Sequence, residues 1–419
     1  MSTTDRRRLV VVGASLAGLR AVEAARKAGF DGEIVLIGAE QHLPYDRPPL
    51  SKAFLEPADA GTPVPDHPVL RSEEMLISQL GVHLMLGTRA TGLDTDRRVV
   101  VTAADDVAYD LLIIATGAGA RELPGTQGIS GVHSLRTLDD AIAVRAALDD
   151  GARTVVVGAG FIGSEVASTA SKRGLAVTVV EAQPTPLVRA IGPVMGEAIA
   201  SLHQRNGTAL RCGVGVGRIE SVGTAESRRV DSVVLEDGST LPADLVVVGI
   251  GTAPAVGWLR DSPLTLENGI VCDETLWTGV EGIYAAGDVA NWYNPLVARR
   301  QRLEHWTSAA EQGAAAARNA VDPNSARPYS TVPYFWSDWY DSRIQFVGIT
   351  DADEVAVVDG DTDVAGRWVA LYRTGDALAG ALTVNGQADI MKYRAQIAKG
   401  TSWSDALRFA EKRRVLAAR

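Results

Sequence analysis

The chain has 419 residues, 46% of them hydrophobic, more than one ordinary core accommodates, so two or three domains are expected. Lys and Arg total 41 against 51 for Asp and Glu, and the resulting net charge of −10 argues against nucleic acid as the main partner. Cys212 and Cys272, the two cysteines, form neither a disulfide framework nor a CxxC motif, and no signal-peptide core or apolar run of membrane-spanning length is visible, so a cytoplasmic protein without membrane association is expected.

In chain order, Leu9 to Val12 reads as a buried strand, Gly13-Ala14-Ser15-Leu16-Ala17-Gly18 as a glycine turn, Leu19 to Ala28 as a helix stopped by Gly29, and Glu33 to Ile37 as a second strand leading to Gly38, Ala39 and Glu40. The pattern returns at mid-chain. Thr154 to Val157 is a strand, Gly158-Ala159-Gly160-Phe161-Ile162-Gly163 a turn, a helix runs to about Arg173, and Leu175 to Val180 is a strand ending at Glu181. This is a duplicated βαβ unit rather than a short repeat. Tyr109 to Gly117 and Ala243 to Gly251 are each a buried strand stopping at a glycine, and so close the two units. Ser308-Ala309-Ala310-Glu311 has the spacing of a capping box opening an alanine-rich helix. Residues 322–328 read as a linker, after which the aromatics of Tyr334 to Tyr340 open a C-terminal α+β region.

A glycine turn between strand and helix lets a pyrophosphate approach the backbone, places it on the helix N-terminus, and leaves the acid at the end of the next strand for a ribose. The second copy is complete in Gly158, Gly160, Gly163 and Glu181. The first has Gly13 and Gly18 with Ser15 at the middle position, and its Glu40 lies later than usual, so Gly38 or Ala39 is an alternative ribose neighbour. One such turn can belong to an α/β protein that binds nothing; two in context imply two dinucleotides, a resident FAD and a visiting nicotinamide nucleotide. Glu181 would repel a 2′-phosphate, and no Lys or Arg follows before Arg189, which favours NADH over NADPH.

Further stretches carry a resemblance: Pro44-Tyr45-Asp46-Arg47-Pro48-Pro49-Leu50-Ser51-Lys52, Ala115-Thr116-Gly117, Gly163-Ser164-Glu165-Val166-Ala167, Tyr284-Ala285-Ala286-Gly287-Asp288-Val289-Ala290 and Trp336-Ser337-Asp338. Together they resemble the putidaredoxin-reductase-like ferredoxin reductases, which serve bacterial cytochrome monooxygenases and Rieske-type dioxygenases. The resemblance implies an α/β protein of glutathione-reductase type: two Rossmann-like dinucleotide-binding domains, FAD on 1–116 and 252–326 and NAD on 117–251, then a C-terminal α+β interface domain at 327–419. It implies Lys52 beside the flavin N5 edge, Glu165 near the nicotinamide and paired with Lys52, Arg136 and Asp288 on FAD, and Trp336 near the isoalloxazine. The expected FAD set is Gly13, Ala14, Ser15, Gly18, Glu40, Arg47, Lys52, Ala90, Thr116, Gly117, Arg136, Asp288, Trp306 and Trp336. The expected NAD set is Gly158, Gly160, Phe161, Ile162, Gly163, Glu165, Glu181, Arg189 and Gly251. Lys52 and Glu165 form the catalytic pair. The helix after Trp306 either aims its positive end at the flavin N1–C2=O edge or is an ordinary surface helix.

The electron acceptor follows from the cysteines. No cysteine precedes Cys212, and both read as small buried apolar residues in strands, so an internal thiol acceptor is not expected. No metal-ligand spacing is visible. The acceptor is therefore external, and the resemblance implies that it is a 2Fe–2S ferredoxin taking electrons singly, with Arg299, Arg300 and Arg302 as a basic docking patch, Arg343 and Lys392 to Arg394 as further candidates, and a monomer or weak homodimer as the assembly. A rubredoxin or other carrier, or a flavoprotein resembling apoptosis-inducing-factor-type proteins and acting by interaction, are the alternatives.

Overall fold

In the computed structural model, residues 7–57, 68–224 and 227–417 are described, and they divide between two compact units. One draws on 7–46, 68–119 and 253–331, the other on 47–57, 120–224, 227–252 and 332–417.

The first unit is built on a five-stranded parallel sheet. Its strands, across the sheet, are Ile283–Ala285, Leu111–Ile114, Arg8–Val12, Glu33–Ile37 and Val82–Met85. Val10 stands opposite Val35 on one side and Leu112 on the other. The three central strands carry the valine, isoleucine and leucine runs Leu9–Val12, Ile34–Ile37 and Leu111–Ile114, buried as a sheet covered on both faces requires. Helix Leu16–Lys27 follows the first strand at once, three residues earlier than the sequence pattern indicates, because Ser15 is already its extended N-cap. Helix Trp306–Val321 lies against it, and Gly313 makes the approach possible: a Cβ there would stand 2.1 Å from the Ala17 carbonyl oxygen.

The expected capping box at Ser308 does not form. His305, in extended conformation, is the N-cap, and Ser308 lies buried inside the helix. Glu311 instead accepts from the Tyr329 hydroxyl at 2.8 Å. The described capping box is Thr137 with Asp140, opening helix Leu138–Asp149 in the second unit. The expected linker is a tied segment, holding the turn Pro323–Ser325 and a two-way hydrogen bond between Asn319 and Arg327, 3.0 Å each way.

The second unit holds a second five-stranded parallel sheet, in the order Val132–Ser134, Leu245–Val248, Thr154–Val157, Val177–Glu181, Ala209–Cys212. It also holds an antiparallel sheet in the order Tyr334–Trp339, Ser342–Gly348, Ala377–Val384, Trp368–Thr374, Glu354–Asp359. Side chains alternate across the antiparallel sheet. Phe346, Tyr372 and Leu382 pack with Ile191, Met195 and Ile199 of helix Val188–Arg205, whereas Val347, Leu371 and Ala381 pack with Ile390 and Tyr393 of helix Gln387–Ala398 and Ala406 and Ala410 of helix Trp403–Ala417. Among the described residues no helix is long and apolar enough to cross a membrane.

Candidate functional site

Each unit carries one glycine cradle. In the first unit a Cβ on Gly13, where φ is +122°, would stand 2.1 Å from the Ala115 carbonyl oxygen, and one on Gly18 would stand 1.9 Å from the Gly13 carbonyl oxygen. Strand, turn and helix are thus locked together by these two glycines. Ser15 between them is an ordinary extended residue, φ −127°, and its side chain does not cap the helix. The first N–H groups of helix Leu16–Lys27 therefore open onto the turn without a protein cap, as an anion site requires. Glu40 accepts from the Tyr45 hydroxyl at 2.5 Å, while Gly38 is the residue pressed against the turn, where a Cβ would meet that of Ala14 at 2.7 Å.

Other first-unit residues assigned to FAD are fixed by their neighbours. Ala90 opens strand Ala90–Asp94. Thr116 donates to the Ala255 carbonyl at 3.0 Å, and Gly117 accepts from the Ala255 N–H at 3.0 Å. Asp288 is the middle residue of the turn Gly287–Val289; the Gly287 N–H is held by the Gln312 side chain at 2.8 Å, and the Asp288 carbonyl by Arg302 at 3.0 Å. Trp306 donates its indole N–H to Asp46 at 2.6 Å.

In the second unit the logic repeats with one instructive difference. Gly158, φ +100°, would clash with the Gly249 carbonyl oxygen at 2.5 Å, and Gly163 with the Gly158 carbonyl oxygen at 2.1 Å. Gly160 has an unstrained φ of −77° and its nearest neighbour would be the Gly249 oxygen at 3.6 Å. Nothing in the protein's own packing demands glycine there. The middle position of the first turn is likewise unstrained, with Ser15 extended at φ −127°, so the protein's own backbone tolerates serine there. Glu181, at its strand end, accepts from the Ala159 N–H at 2.7 Å and the Gln183 N–H at 2.8 Å, which latches the carboxylate to the glycine turn. Phe161 and Ile162 form the first turn of helix Phe161–Lys172; Phe161 packs on Phe335, centroids 4.7 Å apart, and Ile162 is exposed. Gly251 lies beside Arg189, whose guanidinium would stand 3.5 Å from a Cβ there.

The same helix buries Glu165, 2% exposed. Lys52 reaches it at 2.8 Å and is itself steadied by the Pro48 carbonyl at 3.3 Å. Lys52 stands there because Pro48–Ser51 is a 3₁₀ turn, with proline at the positions where its ring suits a helix start. Two further donors, the hydroxyls of Ser51 and Ser337, also bond Glu165. Sequence reasoning missed both, since they lie 114 and 172 residues away and a serine carries no long-range signal. Arg47 donates to the Arg136 carbonyl, and the Arg136 N–H is fixed by Asp140 at 2.9 Å. Trp336 stacks on Tyr334 with Arg343 over its ring, each 5.8 Å between centres.

By unit, Arg47, Lys52, Arg136 and Trp336 fall with the second cradle, and the rest of the FAD set with the first.

Two expectations need correction. Arg302 does not belong to an exposed basic patch: its side chain is 11% exposed, because Asp288, Asn268 and Glu304 surround it with acceptors. Arg299 and Arg300 are exposed, Arg300 paired across the strands with Tyr293 and bonded to the Cys272 carbonyl. Cys212 is half-buried rather than buried, being on edge strand Ala209–Cys212. Desolvation, helped by Glu181, pushes its thiol up to about 11, and burial raises Cys272 further. Neither thiol is activated at neutral pH.

Comparison with known proteins bears on this arrangement. Residues 7–313 match the family model of pyridine nucleotide-disulphide oxidoreductases, and 334–416 match the reductase C-terminal model. The chain is 37% identical over 392 residues to rhodocoxin reductase of Rhodococcus erythropolis, covering 93% of this chain and 89% of that one. It is 36% identical to the ferredoxin–NAD(+) reductase component of the anthranilate 1,2-dioxygenase system of Burkholderia cepacia, covering 93% and 94%. Among solved structures, the covalent complex of putidaredoxin reductase with putidaredoxin aligns with a TM-score of 0.87 at 30% identity, covering 97% of this chain and 99% of that one.

Proposed function

The chain belongs to the pyridine nucleotide-disulphide oxidoreductase family, and from that premise we propose that it is an FAD-dependent reductase that oxidises NADH and passes electrons singly to a 2Fe–2S ferredoxin, which supplies a cytochrome monooxygenase or Rieske-type oxygenase. The observation that carries the reading is the presence in one chain of two glycine turns that each leave a helix N-terminus uncapped. Full-length likeness to reductases of such systems supports the choice of partner.

The residues present fit FAD on the first cradle: Gly13 and Gly18 pack strand against helix, and Ser15 leaves the helix N-terminus without a side-chain cap. Bound FAD supplies the chemistry that takes two electrons at once and gives them up one at a time. The chain's own residues bind and orient. Gly13, Ala14, Ser15 and Gly18 hold the FAD pyrophosphate, Glu40 with Gly38 its ribose, and Ala90, Thr116, Gly117, Asp288, Trp306, Arg47, Arg136 and Trp336 the remainder. Gly158, Gly160, Phe161, Ile162 and Gly163 hold the NADH pyrophosphate, with Arg189 and Gly251 alongside. Glu181 accepts from the free 2′-hydroxyl and selects NADH. Glu165 orients the nicotinamide end, and Lys52 offers positive charge to the flavin. In this reading FAD binds 1–116 and 252–326, NAD binds 117–251, and 327–419 forms the interface domain. Arg299 and Arg300 meet the ferredoxin, and the protein works in the cytoplasm as a monomer or weak homodimer.

The test is anaerobic stopped-flow mixing of the yellow protein with NADH, with NADPH, and then with a 2Fe–2S ferredoxin. Fast bleaching by NADH and ferredoxin-dependent reoxidation are expected. Slow bleaching, or reduced flavin that ignores ferredoxin, overturns the reading.

A further inference from the structure

Three buried side chains beside Glu165 have no task in this scheme: Ser51, Ser337 and Trp339. We propose that Ser337, oriented by Trp339 and assisted by Ser51, is a positioning residue that fixes the plane of the Glu165 carboxylate for hydride transfer. The proposal rests on the place given above to Glu165.

Four donors meet the Glu165 carboxylate. Lys52, at 2.8 Å, and the Ser51 hydroxyl both bond Oε2. The Ser337 hydroxyl and, at 3.4 Å, the Asp338 N–H bond Oε1. The ion pair with Lys52 therefore grips one oxygen only. A glutamate held at one oxygen remains free to turn about its last torsion, which is broad and nearly two-fold. Ser337 is the hydroxyl that grips the second oxygen, and the Asp338 N–H is too long to replace it.

The direction of the Ser337 hydroxyl follows from its partners. The Trp339 indole, which can only donate, reaches the Ser337 oxygen at 2.9 Å. The hydroxyl proton is thereby left for the carboxylate, which can only accept. Trp339 and Ser337 are both fully buried, and their alternation along strand Tyr334–Trp339 puts them on one face of the sheet. A second tie keeps that strand end in register with the helix: the Tyr340 N–H donates to Ser168, three residues beyond Glu165. The C-terminal sheet thus supplies a hydrogen bond to the nucleotide helix of its own unit, a contribution that no motif in the chain announces.

The experiment uses holoenzyme carrying Ser337→Ala, Ser337→Thr, Glu165→Gln, or Ser337→Ala with Glu165→Gln. Each is read for Tm, for NAD+ affinity by calorimetry, and for the limiting rate of flavin bleaching by NADH. Ser337→Ala is expected to slow bleaching about tenfold while NAD+ affinity stays nearly unchanged, since orientation and not binding is lost. Ser337→Thr, which keeps the hydroxyl, recovers most of the rate. The Tm losses of Ser337→Ala and Glu165→Gln are non-additive, as for groups in contact. Ser337→Cys, close in size with only a weak donor, is read the same way if Ser337→Ala does not fold. Additive Tm losses overturn the proposal, as does a Ser337→Thr protein as slow as Ser337→Ala. If Glu165→Gln is slow and Ser337→Ala is not, the role of Ser337 falls and the placement of Glu165 stands. If Glu165→Gln bleaches at the wild-type rate, the placement of Glu165 falls and the proposal with it.

Discussion

At the scale of single residues, Glu181 is the clearest case of one side chain with two duties. Its carboxylate ties the glycine turn through Ala159 and Gln183, and in the proposed function it also accepts from the nucleotide's ribose. Glu181→Ala should therefore weaken NADH binding about tenfold or more and reduce the preference over NADPH, measured as the ratio of kcat/KM for the two nucleotides. His203 offers a test on stability instead. It is fully buried, bonded to the Tyr340 hydroxyl at 2.8 Å and Ser164 at 3.2 Å, and desolvation pushes it down to about 4 from its usual 6.5. Between those two values the unfolded chain binds a proton that the folded protein refuses. The neutral ring's contribution is therefore fully present above pH 6.5 and is lost as the pH falls towards 4, at a cost of about 3 kcal/mol. Thermal melts across this range should show Tm falling with pH, with a shallower fall in His203→Gln.

At the scale of elements, the glycine turns separate what folding needs from what binding needs. Gly158→Ala forces a methyl group against the Gly249 carbonyl at a positive φ and should cost at least about 2 kcal/mol in a denaturant titration. Gly160→Ala meets nothing closer than 3.6 Å; it should melt with the wild-type protein and yet bind NADH about tenfold more weakly, because the methyl group occupies the ligand's approach. These turns were legible in the sequence because spacing and conformation coincide there: strands Glu33–Ile37 and Thr154–Val157 have the bounds their apolar runs imply. The opening of helix Trp306–Val321 was not. Ser308 and Glu311 have capping spacing, but His305 is the N-cap, at a helix start where the Trp306 indole is tied to Asp46, 260 residues away. The bonds from Ser51 and Ser337 to Glu165 were hidden for the same reason, since local patterns carry no information on which distant hydroxyl meets a buried carboxylate.

At the scale of the molecule, the net charge of −10 makes any local positive surface informative. Arg300 is exposed beside Tyr293, itself 37% exposed. Arg300→Glu should slow ferredoxin reduction and flatten its salt dependence while leaving dye reduction by NADH intact. Its bond to the Cys272 carbonyl means that a small loss of Tm is expected alongside. Equal loss of the ferredoxin and dye activities would show that the substitution disturbs the protein and not docking.

The strand order of the first sheet has a consequence for biosynthesis. Ile283–Ala285 pairs with Leu111–Ile114, so a strand that leaves the ribosome early waits for its neighbour. At ordinary translation speeds the wait is about 10–30 s. During it, the run Leu111-Leu112-Ile113-Ile114 presents an open apolar edge, the kind of edge that invites pairing with another chain. A messenger that pauses the ribosome between codons 114 and 283 should therefore raise aggregation more than one that pauses it near the end of the chain, once strand Ile283–Ala285 has emerged.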